Sequence, residues 1–173
     1  IYTLSLHDAL PICYGGSFEN RTRFALALVA RLKQAVPDMV IDYKLPVITP
    51  LKGGGLRGKG GLELDEAKQL ALLLEQAGVD MIHVAQANHT GNMADTIPPM
   101  GTQPYGFTVS CAAEIKKLVS IPVSCVGRIV SPSAAEAIVS SGKADIVGLG
   151  RSLLSDPDFA RKCEEGHPAC VRE

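Results

Sequence analysis

Apolar positions along the chain switch repeatedly between two periods. Behind Tyr14, Gly15 and Gly16, Ser17 is placed to cap a helix whose apolar stripe runs through Phe24, Leu28 and Leu32 to about residue 35. A short apolar run at 40–45 then reads as a strand. The leucine- and alanine-rich stretch 65–77 has the helical period, Gly78 closes it, and 81–85 reads as the next strand. The alternation continues as a helix over 112–119, a strand over 123–126, a helix over 133–139 and a strand over 146–149. A last helix is predicted over 156–165.

Strands alternating with helices predict an α/β fold with a parallel sheet, its strands buried on both faces. An open doubly wound sheet and half of a closed (β/α)8 TIM barrel both fit this pattern. A complete barrel needs about 250 residues, so on the barrel reading the 173 residues supply about the last four βα units. Two long strand-to-helix loops, 46–64 and 86–110, lie at the C-terminal ends of strands, where parallel folds keep their active sites.

Residues 1–12, IYTLSLHDALPI, break the pattern: they show neither a capped periodic face nor sustained alternation. The string resembles the conceptual translation of a sequencing-adapter oligonucleotide. It is therefore expected to be a non-native leader, with 13–173 as the folding unit, and His7 and Asp8 are set aside as candidates for chemistry.

Composition narrows the functional classes. Seventeen Lys and Arg against 18 Asp and Glu give a net charge of -1, which removes the electrostatic ground for a nucleic acid or anionic membrane partner. Apolar runs fall well short of the roughly 20 residues that span a bilayer, so a cytoplasmic protein acting on small molecules is expected. The five cysteines, Cys13, Cys111, Cys125, Cys163 and Cys170, form no C-x-x-C pair, so no disulfide framework and no metal site are expected.

Several loops carry candidate chemistry. The stretch from Gly53 to Gly58-Lys59 has P-loop spacing, but Gly60 stands where a magnesium-binding hydroxyl belongs and the next helix begins too late, which favours a mobile lid or a connector. Gly148-Leu149-Gly150-Arg151 opens like a dinucleotide fingerprint, yet Leu153 replaces its third glycine. A better fit is a phosphate corner. The strands over 123–126 and 146–149 end in Gly127-Arg128 and Gly150-Arg151, two cations on successive corners of one rim. In barrels the loops after the seventh and eighth strands commonly hold phosphate. The loop after 81–85 gathers Gln86, Asn88, His89, Thr90 and Asn92, a density suited to hydrogen bonding a ligand. His83, within the strand, reads as a core or barrel-lining residue. Lys44 is a charge in an apolar strand, where burial would call for a ligand or an internal salt bridge.

The blocks Tyr14-Gly15-Gly16-Ser17-Phe18-Glu19-Asn20-Arg21, Val126-Gly127-Arg128-Ile129 and 148–157 (GLGRSLLSDP) resemble the Old Yellow Enzyme family of FMN-dependent oxidoreductases. The likeness is to its multidomain branch of 2,4-dienoyl-CoA and NADH-dependent enoate reductases. It covers residues 14–172 and corresponds to the C-terminal half of the FMN barrel.

The resemblance implies that Gly127, Arg128, Gly150 and Arg151 bind the FMN phosphate and flank the flavin. It sets Lys44 where the family usually presents an arginine near the flavin N1 and C2 carbonyl edge, keeping the charge but losing the planar fork. His89 falls where that branch holds the substrate carbonyl. NAD(P)H would reduce FMN, and FMN the C=C bond of an unsaturated carbonyl substrate, with the proton donor outside this half. A 4Fe-4S centre and FAD are expected only further along the parent chain, which would be homo-oligomeric, and the half-barrel alone would be inactive. Two alternatives remain open: a non-catalytic half-barrel, and a phosphate-binding barrel without redox chemistry.

Overall fold

The computed structural model describes residues 14–47, 62–85, 106 and 108–172. Helix α1 (Phe18–Ala35) leads to strand β1 (Asp42–Pro46), α2 (Leu64–Gln76) to β2 (Met81–Ala85), α3 (Val109–Lys116) to β3 (Val123–Val126), and α4 (Pro132–Ser140) to β4 (Ile146–Gly148). Two short helices, α5 (Arg151–Ser155) and α6 (Phe159–Glu164), and a 3-10 turn at Pro168–Cys170 follow. All adjacent strands are parallel and their order is β1-β2-β3-β4. An open doubly wound sheet reverses its strand order at a switch point. No reversal occurs among these strands, so the barrel-type winding is the one observed.

The core lies between the helices and one face of the sheet. Leu45, Val84 and Cys125 stand in register across β1, β2 and β3, as do Tyr43, Ile82 and Val123. These strand residues pack with Val29 of α1, Ala67, Leu70, Ala71 and Leu74 of α2, and Ala112 and Ile115 of α3. Side chains alternate along a strand, so Lys44, His83, Ser124 and Ile146 form a register row on the opposite face. Burial of every strand on both faces is therefore corrected: Lys44 is exposed, His83 is half-buried and Ile146 is 45% exposed. Ser124, in the same row on β3, is 2% exposed.

The N-terminal rim of the sheet is fastened by carboxylates. Asp80, just before β2, accepts from the Ile41 amide at 2.8 Å and from Lys33 at the end of α1. Asp145, just before β4, does the same with the Val123 amide and with Lys116 of α3. Glu75 accepts from the amides of Ser120 and Ile121 and from the Ser120 hydroxyl. Each anion ties one strand to a neighbouring unit and is held below the usual carboxylate range by those donors. In barrels this rim serves stability, which leaves the opposite rim for chemistry.

Several boundaries moved. The strand expected over 40–45 is Asp42–Pro46, the helix expected over 112–119 is Val109–Lys116, and the helix expected over 156–165 is the shorter α6, with α5 an additional helix ahead of it and a break between the two. The break falls at Asp156, whose backbone is extended ahead of Pro157, as the ring of a following proline favours. Asp156 is 1% exposed and accepts from Lys162 Nζ at 2.6 Å and from the amides of Asp158 and Arg172. Among the described residues no helix is long and apolar enough to cross a membrane.

Candidate functional site

The sequence block that opens with Tyr14 turns out to be a helix start and a clamp. Ser17 caps α1 by accepting from the Asn20 amide. Arg21 donates to the Gly16 carbonyl at 3.1 Å and grips Glu66 of α2 with two nitrogens at 3.0 and 2.5 Å. This fork fixes α1 against α2.

The C-terminal rim holds the two Gly-Arg corners. Val126 pairs with Gly148, so the segments that leave β3 and β4 start side by side. A Cβ on Gly148 would come within 3.3 Å of the Val126 Cβ, so glycine is what lets these two strands approach. The first corner turns through Gly127 at φ 147 and Arg128 at φ 50. Arg128 is the one non-glycine residue with positive φ among the described residues, a conformation an L-residue keeps only when its surroundings impose it.

Three bonds surround that turn. The Thr108 hydroxyl donates to the Val126 carbonyl. The Gly106 amide donates to the Gly127 carbonyl at 2.9 Å. The Ser152 hydroxyl, from the corner after β4, donates to the Ile129 carbonyl at 2.8 Å. The corners are thus joined directly, with Arg128 half-buried and Arg151 exposed. A Cβ built on Gly150 would meet nothing within 4 Å, so the second corner is open at that position. Two arginines on a backbone corner with open space are the donor set a phosphate monoester needs.

Lys44 sits on β1, on the sheet face opposite the helices, with His83 its register partner on β2. It is exposed and has no ion pair among the described residues. Ser124 continues the row on β3, 2% exposed, its hydroxyl without a hydrogen-bond partner among the described residues. His89 and the glycine-rich stretch 53–61 lie outside the described residues, as do residues 1–12 and Cys13. Of the sequence-predicted site, the structure therefore brings Gly127, Arg128, Gly150 and Arg151 to one corner and leaves Lys44 two strands away on the same sheet.

Sequence reasoning missed Thr108 and Ser152. No spacing signal marks a hydroxyl that bonds a carbonyl 18 or 23 residues away. Among the cysteines, Cys111 and Cys125 are buried, Cys163 is half-buried and Cys170 is exposed, all as free thiols. Burial pushes Cys125 up to about 11.

Residues 13–169 match the NADH:flavin oxidoreductase / NADH oxidase family. The chain is 60% identical over 159 residues to bilirubin reductase of Mediterraneibacter gnavus, covering 92% of this chain and 24% of that protein. It is 39% identical over 161 residues to NADH oxidase of Thermoanaerobacter brockii, covering 92% of this chain and 23% of that one. Among solved structures, histamine dehydrogenase from Rhizobium sp. 4-9 superposes with a TM-score of 0.77 at 29% identity, over 96% of this chain and 23% of its own. The chain thus spans roughly a quarter of the length of these relatives.

Proposed function

Because the chain belongs to the NADH:flavin oxidoreductase / NADH oxidase family, whose fold is the (β/α)8 barrel, we propose that it is the part of a reductase barrel that holds the FMN phosphate and one side of the active site. The parent protein reduces the C=C bond of an α,β-unsaturated carbonyl compound at the expense of NAD(P)H. The observation that carries the cofactor half of this reading is the pair of joined Gly-Arg corners, with open space at Gly150. The substrate half is supported by the 60% identity to a protein named bilirubin reductase, since bilirubin contains C=C bonds conjugated to lactam carbonyls. On this reading residues 1–12 are a foreign leader and 13–173 belong to the barrel, with which the family match from residue 13 accords. The proposal extends to a cytoplasmic protein, with 4Fe-4S and FAD carried elsewhere in the parent.

The residues divide the work by charge and position. Arg128 and Arg151 hold the phosphate through guanidinium hydrogen bonds, and Gly127 and Gly150 let the backbone come close to it. Bound there, FMN supplies hydride transfer from reduced nicotinamide to the β-carbon of the alkene. Lys44 would supply a positive charge to the flavin ring and so favour negative charge on it. His89 donates a hydrogen bond to the substrate carbonyl oxygen, where negative charge grows as the β-carbon is reduced.

The test is anaerobic turnover of the intact protein with NADH and a simple enone, followed by mass spectrometry. A product heavier by two hydrogens, formed only when FMN is bound, supports the proposal. NADH consumption without alkene reduction would leave an oxidase and remove the ene-reductase reading.

A further inference from the structure

We infer that Thr108 and Ser152 are positioning residues that hold Arg128 in its left-handed backbone conformation, and that they thereby set the preference of the corner for a phosphorylated flavin; this rests on the FMN reading above. The carbonyls on either side of Arg128 are all engaged from outside the turn. Val126 is held by the Thr108 hydroxyl, Gly127 by the Gly106 amide at 2.9 Å, and Ile129 by the Ser152 hydroxyl at 2.8 Å. The residue between them is the one with φ 50. Remove these bonds and nothing in the local sequence favours a positive φ at an arginine.

Thr108 precedes α3 with a helical backbone, φ -87 and ψ -10, and its side chain makes no capping bond. The hydroxyl is spent on the Val126 carbonyl instead, in a site only 2% exposed, where water cannot readily replace it. Ser152, in the first turn of α5, likewise turns its hydroxyl to Ile129. Two hydroxyls from different elements thus converge on the carbonyls that flank one turn.

The experiment uses the intact protein with Thr108→Val, Thr108→Ser, Ser152→Ala and Ser152→Thr. Hydrogen exchange at the amides of residues 127–129 is read in the flavin-free state, and the dissociation constants of FMN and riboflavin are measured. Loss of one buried hydrogen bond is expected to weaken FMN binding about tenfold, with riboflavin affected far less. Exchange at 127–129 should quicken, and the hydroxyl-retaining variants should restore both properties. Ser152→Ala, at a less buried site, keeps the test open should Thr108→Val fail to fold. Unchanged exchange and an unchanged FMN-to-riboflavin ratio in the folded hydroxyl-free variants would overturn the inference. A parent that takes up no FMN overturns the FMN reading, and exchange alone then decides whether the clamp holds Arg128.

Discussion

Arg21 and Glu66 meet as a two-pronged ion pair, at 3.0 and 2.5 Å, that pins the first helix to the second. Both side chains are about one-third exposed, at 31% and 32%, so the pair works partly sheltered from solvent. The guanidinium also reaches the Gly16 carbonyl and lies 5.9 Å from the Phe18 ring centroid. Lysine keeps the charge but loses the fork. Arg21→Lys should therefore destabilise the barrel by about 1 kcal/mol, read by urea unfolding, while FMN content per folded protein stays constant.

Asp156 gives a pH-dependent counterpart. Lys162, the Arg172 amide and the Asp158 amide together hold its carboxyl down to about 2. In an unfolded chain it titrates near about 4. The stabilisation is complete above that value and is lost as pH falls through the folded one. Asp156→Asn should lower the melting temperature at neutral pH by several degrees, and the gap to the unsubstituted protein should close between about pH 4 and about pH 2. A gap that persists at the acid end would mean the contribution does not come from the charge.

The order of elements was legible because helix and strand periods are well separated, and 81–85 and 123–126 were read to the residue. The sheet faces were not. Lys44, His83 and Ile146 sit among apolar neighbours, and hydropathy along a strand does not tell a face covered by helices from one that is not. The break at Asp156 was readable, since a residue before proline avoids the helical region. The phosphate corner was half legible: Gly-Arg at two strand ends marks it, whereas the Thr108 and Ser152 hydroxyls reach it only through the fold.

Arg128 can be separated into charge and conformation. Arg128→Ala should weaken FMN binding about tenfold to a hundredfold, the range for hydrogen bonds to a charged group, and abolish the preference over riboflavin. Arg128→Gly loses the same charge but accepts φ 50 without strain. It should be the more stable of the two, with equal loss of FMN affinity. Fluorescence titration and thermal unfolding give the two readouts.

His89→Ala should leave FMN content intact and reduce kcat on an enone by about a hundredfold or more, as for other donors to a developing oxyanion. Steady-state turnover with NADH at saturating enone reads it. A full rate would remove His89 from the carbonyl site.

The buried thiols should be silent. Cys111 and Cys125 are raised by burial, Cys125 to about 11, so neither forms appreciable thiolate near neutrality. Iodoacetamide at about pH 8 should leave both unmodified in the native protein and label both after denaturation, as peptide mass mapping would show.

The visible spectrum of the intact parent protein, taken before and after anaerobic addition of NADH, tests the central claim most directly. A yellow protein with one FMN per chain, bleached by NADH and recoloured by an enone, is the predicted result. A protein that remains colourless after incubation with FMN would contradict it and leave the joined arginine corners to a phosphate ligand without redox chemistry.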